Sequence, residues 1–288
     1  MKNKRVKTFV KVICIILASC LAFGLVDLGL CGLTDLVAYK DAQQDDKAWN
    51  SVLEKFDNGE TLTDEDYQII LSQSGLGKPA FDNLMAEGQR RKVEFYREYY
   101  LLDKDYACRR KGFLACHERI TNSNGEKTMN PDFADLQNGD IVVTLSIHSY
   151  GWRHGHAVIV TDAENKIGVQ AFMVGIESGY TYVNSLNVFP MVAVLRVKDI
   201  DDEKREEVAQ FAEEELTGLD YSLFSGIFTG RNAENVPSST QCAHLVWYAY
   251  FHCGVDISPN GGLIITPKDF LKSDKLEVVQ VYGNILEV

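Results

Sequence analysis

The pattern of apolar and polar positions changes character twice along the chain. It begins with fifteen consecutive uncharged residues, Val12 to Val26, followed by a further apolar stretch broken by Asp27 and Asp35. From about Asp41 to Asn130 the pattern is helical and charged. Thr63, with Asp66 three residues later, resembles a capping box and predicts a helix through Ile69, Ile70 and Leu71. Gly75, Gly77 and Pro79 end it. Phe81, Leu84 and Met85 restart a helical period, and an amphipathic run from Val93 to Leu101 follows. This region reads as a packing or spacer subdomain, with a substrate-positioning lid as the functional alternative.

From Leu136 the period is that of strands. Short runs rich in β-branched residues predict strands at Gly139 to Leu145, His156 to Thr161, Ile167 to Val174, Met191 to Val197 and Leu276 to Tyr282. Glu203 to Leu216 predicts a helix with Val208, Phe211, Ala212 and Leu216 on one face. A second helix is expected from Cys242 to a C-terminal cap at Gly254. Strands followed by a helix pair suggest an α+β fold. The expected division is residues 1–40, an N-terminal signal anchor or signal peptide; 41–130, a helical subdomain; and 131–288, the strand-rich domain.

Charge sharpens the picture at the N-terminus. Lys2, Lys4, Arg5, Lys7 and Lys11 precede the apolar run with no acid among them. The remaining 24 basic and 41 acidic side chains leave the rest of the chain at −17. A body that acidic is not expected to bind nucleic acid, where affinity rests on cationic contacts with phosphate. A basic head before an apolar run fits an export signal and stays in the cytoplasm. An uncleaved membrane anchor explains the apolar residues after Cys20 best. A lipoprotein modified at Cys20, within the lipobox-like Leu17-Ala18-Ser19-Cys20, and a cleaved signal are the alternatives. All three place the body outside the cytoplasm, on the membrane or secreted. There Cys108 and Cys116 either pair as a disulfide or remain two thiols.

Candidate chemistry narrows by exclusion. His117-Glu118-Arg119-Ile120 is followed by Thr121, so a zincin's second histidine is missing. Gly75-Leu76-Gly77-Lys78 is too short for a P-loop. No Gly-x-Ser-x-Gly elbow occurs. Thiol chemistry is left. Ser238, Ser239 and Thr240 are expected to cap a helix that carries Cys242 in its first turn. Free N–H groups there favour a thiolate, the nucleophile of covalent acyl chemistry. The alternative is a small buried hydrophobe. His156 opens a strand, where a ring nitrogen would serve as the base. His154 would point the same way along an extended chain, and spacing does not separate the two. Glu177, at the end of the next strand, is a candidate for the acid that fixes an imidazole tautomer, or else a surface carboxylate.

These residues carry a family resemblance. Leu136-Gln137-Asn138-Gly139-Asp140-Ile141-Val142, Gly155-His156-Ala157-Val158-Ile159-Val160, Ile176-Glu177, Gly218-Leu219-Asp220-Tyr221, Cys242 to Tyr250 and Ile265-Thr266-Pro267-Lys268-Asp269-Phe270 follow one another along the chain. This half of the chain resembles the NlpC/P60 superfamily of papain-like cysteine hydrolases, in the order of its circularly permuted YiiX/YebB-like branch. The resemblance implies Cys242 as nucleophile, His156 rather than His154 as base and Glu177 as orienting acid. It implies an antiparallel half-barrel packed on the Cys-bearing helix, and no metal or organic cofactor. Tyr221 matches a family tyrosine that lines the cleft or assists the oxyanion. His244 replaces a small residue after the nucleophile and would alter the pocket. The linker from Tyr221 to Cys242 is longer than the family turn. Ordinary members cut cell-wall peptides; permuted ones are linked to lipid or acyl-amide substrates. The expectation is an extracytoplasmic cysteine hydrolase of amide or ester bonds. The rivals are a non-catalytic wall- or lipid-binding module and a thiol acyltransferase.

Overall fold

The strand segments read as continuous apolar runs, Ile141-Val142-Val143 and Val192-Ala193-Val194-Leu195, without the alternation of a sheet that is wet on one face. Such strands need cover on both sides, and the computed structural model shows it. It describes residues 2–35, 43–111, 115–149, 152–225, 235–259, 261 and 264–287. The 40/41 boundary and the middle of the 221–242 linker lie outside the described residues.

Helix α1 (Lys2–Asp35) comes first. Then α2 (Asp46–Asp57), α3 (Asp64–Ser74), α4 (Lys78–Ala86) and α5 (Arg90–Tyr100) form a helical layer. Among the described residues no helix is long and apolar enough to cross a membrane. A hairpin follows, β1 (Asp105–Lys111) and β2 (Ala115–Thr121), extended by the short β4 (Ile147–His148). A six-stranded antiparallel sheet has the order β11-β8-β3-β5-β6-β7. Its strands are β3 (Ile141–Thr144), β5 (His156–Asp162), β6 (Ile167–Gln170), β7 (Gly179–Tyr182), β8 (Val192–Val197) and β11 (Leu276–Tyr282). Between β8 and β11 lie α6 (Asp202–Glu215), the parallel pair β9 (Asp220–Tyr221) and β10 (Ser239–Thr240), α7 (Cys242–His252) and α8 (Pro267–Phe270).

One sheet face, through Ile141, Val143, Ala157, Ile159, Ala193 and Leu195, buries against α6 and α7. The other, through Val142, Val158, Val160, Val192 and Val194, buries against α2–α5. At about 1.5–3 kcal/mol per fully buried aliphatic side chain, both faces contribute, which explains the unbroken apolar strands. The helical region therefore packs, as expected. The layer is pinned at the Gly75–Gly77 turn. Gly77 N–H donates to Val279 O and Val281 N–H to Gly75 O, at 2.8 and 2.7 Å. A Cβ at Gly77 would stand 1.7 Å from Val278 O, so only glycine allows this approach. The Thr63–Asp66 capping box is present at the start of α3.

Three expectations are corrected. The 41–130 region is not wholly helical: after α5 the chain turns to the β1–β2 hairpin, and β2 alternates half-buried and buried positions with the period of a strand. The third strand stops at Gln170, and residues 172–177 form an exposed turn that leads into β7. Cys108 and Cys116 do not pair with each other. The β1–β2 register sets Cys108 opposite Glu118 and Cys116 opposite Arg110. Cys108 keeps its thiol, 3.5 Å from His148 Nε2, whereas Cys116 is in a disulfide.

Candidate active site

Cys242 is the first residue of α7, and the helix is capped by Gln241 rather than by the preceding hydroxyls. Ser239 and Thr240 are drawn into the β10 pairing with β9, which leaves the capping role to the next residue. Gln241 Oε1 accepts from Ala243 N–H at 3.0 Å, and its Nε2 donates to Ile265 O at 2.7 Å. The amide is thus held at both ends, and Cys242 Sγ lies 3.5 Å from Gln241 Oε1. The backbone N–H groups of Ala157, Ala243 and Cys242 itself act on the buried sulfur. Burial outweighs them and pushes the thiol up to about 11. The helix N-terminus does not by itself produce the thiolate expected from the sequence, because desolvation is the larger effect.

His156 is the first residue of β5, next to Ala157. Its Nε2 lies 2.7 Å from Gln170 Oε1. A carbonyl oxygen can only accept, so Nε2 carries the hydrogen and Nδ1 holds the basic lone pair. Burial lowers His156 to about 4, against the Gln170 contact that raises it, and the charge of nearby His154 lowers it further. The resting site therefore holds a neutral thiol and a neutral imidazole. No hydrogen bond joins Cys242 to His156 in this arrangement; the two are brought together by α7 packing against β5 at Ala157.

The side chain set against the His156 ring is Gln170, not Glu177. Glu177 sits on the exposed turn between β6 and β7, beyond the point where the strand stops following β5. Gln170 is an amide where the resemblance implies an acid. Its signal in the sequence is that it is the polar end of an otherwise apolar strand, which pairs with the histidine strand through Ile159 and Val169.

Tyr221 does join the site. β9 sets it opposite Thr240, two residues before the nucleophile, and its hydroxyl is raised by burial and then by the Cys242 charge. His154 is engaged elsewhere. Gly155, at φ +67, breaks the extended path, so the alternation assumed between His154 and His156 fails. His154 Nε2 instead contacts Ser149 Oγ at 3.1 Å, and its ring lies 5.6 Å from that of Trp152. His244 also points away from the thiol, since two residues along a helix turn a side chain about 200°. It is buried with Nδ1 3.0 Å from Thr240 Oγ1, packs on Tyr248, and is lowered to about 4 by burial. Cys20 is exposed on α1, remote in sequence from this cluster.

No family model matches the chain, and no curated protein matches it. Among solved structures it is similar to the metalloprotein YiiX of Escherichia coli O157:H7 (DUF1105), at 15% identity, 51% of this chain and 98% of that one, with a TM-score of 0.38. Among the described residues no group of three or more His, Cys, Asp or Glu side chains is placed to hold a metal ion.

Proposed function

We propose that the chain is a cysteine hydrolase of amide or ester bonds that works through an acyl-enzyme. The supporting observation is His156, held through Nε2 by Gln170 with Nδ1 unengaged, beside a buried helix-N-terminal thiol at Cys242. In this reading the Cys242 sulfur attacks the substrate carbonyl while its proton passes to His156 Nδ1. The oxyanion is met by N–H groups at the start of α7. As the tetrahedral species collapses, the leaving amine or alcohol takes the proton from His156. Water then gives a proton to Nδ1 and attacks the thioester; the acid leaves and the thiol is restored. Tyr221 borders the reacting atoms. The neutral resting pair fits proton transfer at the moment of attack rather than a preformed ion pair. The basic head and apolar run support a position outside the cytoplasm, with the N-terminus holding the chain to the membrane.

The test is acyl trapping on the full chain. With p-nitrophenyl acetate, Cys242 is expected to gain an acetyl group by mass spectrometry and His156→Ala to abolish it. Acetylation confined to Cys108 or Cys253 and indifferent to His156 would sink the hydrolase and favour a binding module. Turnover only with added amines or alcohols, and none with water, would make it an acyltransferase.

A further inference from the structure

A second thiol–imidazole contact lies outside the Cys242 site. Cys108 Sγ is 3.5 Å from His148 Nε2, and the same nitrogen is 3.6 Å from Glu118 Oε1. His148 and Glu118 are fully buried, and Cys108 is half-buried. Arg153 also holds Glu118, with Nη2 and Nη1 2.6 and 3.0 Å from its two oxygens.

The register of the small β1–β2–β4 sheet explains the cluster and adds a further member. Cys108 stands opposite Glu118, and Cys116, two residues from Glu118 on the same strand, stands opposite His148. Opposed residues, and residues two apart, share a sheet face. The thiol, the imidazole, the carboxylate and the Cys116 disulfide therefore occupy one face. Cys108 and Cys116 are diagonal neighbours, whose Cα atoms in such a ladder are about 7–8 Å apart. A disulfide spans about 4.4–6.8 Å between Cα atoms. The two cysteines thus lie side by side without bridging, and they compete for a third sulfur rather than for each other.

We infer that Cys108, with His148 as its base, exchanges with the Cys116 disulfide. The inference is independent of the hydrolase reading, because it uses none of the residues around Cys242. His148 Nε2 takes the Cys108 proton, and Glu118 beside it holds the imidazolium. Cys108 Sγ attacks the partner sulfur of the Cys116 disulfide. The S–S bond at Cys116 breaks as the one at Cys108 forms. The released electron pair stays on Cys116 Sγ, which takes the proton back from His148. One disulfide and one thiol are present before and after, so no oxidant or reductant is consumed. The register also gives the exchange a direction. Cys108 faces an acid, Glu118, across the strands, whereas Cys116 faces a cation, Arg110. A thiolate is favoured beside a cation, so Cys116 is the better leaving group and Cys108 is the thiol stored protonated.

The test maps disulfides in the full chain prepared without reductant. Exchange is frozen in acid, where thiolate is absent. The protein is held at neutral pH, quenched in acid at intervals and digested in acid, and its peptides are read by mass spectrometry without reduction. Two isomers are expected, one linked at Cys116 with Cys108 as thiol and one linked at Cys108 with Cys116 as thiol, both to the same partner peptide. Separated in acid and returned to neutral pH, each should relax to the same mixture. His148→Gln is expected to slow that relaxation about 10²-fold, the loss of a general base. Cys108→Ser should leave the Cys116-linked form alone. A wild-type chain linked only at Cys116 at every time overturns the inference. That result needs no variant, so it decides even where replacing the buried His148 unfolds the chain. Relaxation at an unchanged rate in a folded His148→Gln protein overturns it too, as does a Cys108 linkage found only between two copies.

Discussion

His156 Nε2 and Gln170 Oε1 are 2.7 Å apart, and this contact decides which nitrogen of the ring is basic. Gln170→Ala should leave the fold intact and release the ring. Acyl-enzyme formation is expected to fall about 10²-fold, the scale of a misplaced general base. Glu177→Gln should change nothing, because that carboxylate lies on the exposed turn. Equal losses in both variants would return the orienting role to Glu177. The measurement is the rate of acetylation of Cys242.

The pH profile follows from burial. His156 must be neutral to accept a proton, and its folded value is near 4. The acid limb of acylation is therefore expected near pH 4, well below the ordinary imidazole value of 6.5. A limb at 6 to 7 would show that the ring is solvated or paired with the thiolate.

The same burial acts on stability. His156 and His244 are both lowered from 6.5 to about 4 on folding. The unfolded chain binds their protons first, so the stability from keeping the rings neutral is present above pH 6.5 and is lost as pH falls towards 4. His244→Phe should flatten that loss in thermal melts between pH 7 and 4.5. An unchanged slope would place the acid sensitivity elsewhere.

Gly155 governs where β5 begins. Its φ is +67, and an added Cβ would stand 2.4 Å from Thr144 O. Gly155→Ala is expected to cost about 1–3 kcal/mol, through strain at a left-handed position, and to displace His156, lowering both the melting temperature and Cys242 acetylation. Retention of both would separate the loop from the site.

Beneath the sheet, Arg196 donates from Nε and Nη2 to the two carboxylate oxygens of Asp140, each at 2.8 Å, and from Nη1 to Asp135 at 3.0 Å. Arg196→Met leaves a buried carboxylate without its partner and should destabilise by about 3–5 kcal/mol. Adding Asp140→Leu should recover much of this in denaturant melts. No recovery would show that the pair specifies the β3–β8 register rather than balancing charge.

How much the sequence discloses depends on which physical term dominates locally. Strands buried on both faces announce themselves as apolar runs, so β3, β5, β8 and β11 are legible. So are α7, with Cys242 at its head, and the Thr63 cap, which depends on a short-range exchange of hydrogen bonds. The β1–β2 hairpin is not, because its residues are charged and only their alternation marks them. Gln170 is missed because an amide is an unremarkable residue until tertiary pairing sets it against the histidine. Parity misplaced His154 because one glycine at positive φ resets the alternation. The thiol's high value is invisible in sequence, since it reflects how completely α7 is covered.

The contact between the Gly75–Gly77 turn and β11 joins positions about 200 residues apart. The helical layer cannot seat on its sheet until β11 has emerged, since Val279 and Val281 supply the docking groups. Closing so long a loop sets the pace of folding more than it sets stability. During synthesis, the strand faces around Val142 and Val158 wait uncovered for their last neighbour. A nascent chain of this topology keeps apolar strand faces open until β11 appears, and such faces invite association with other chains until then.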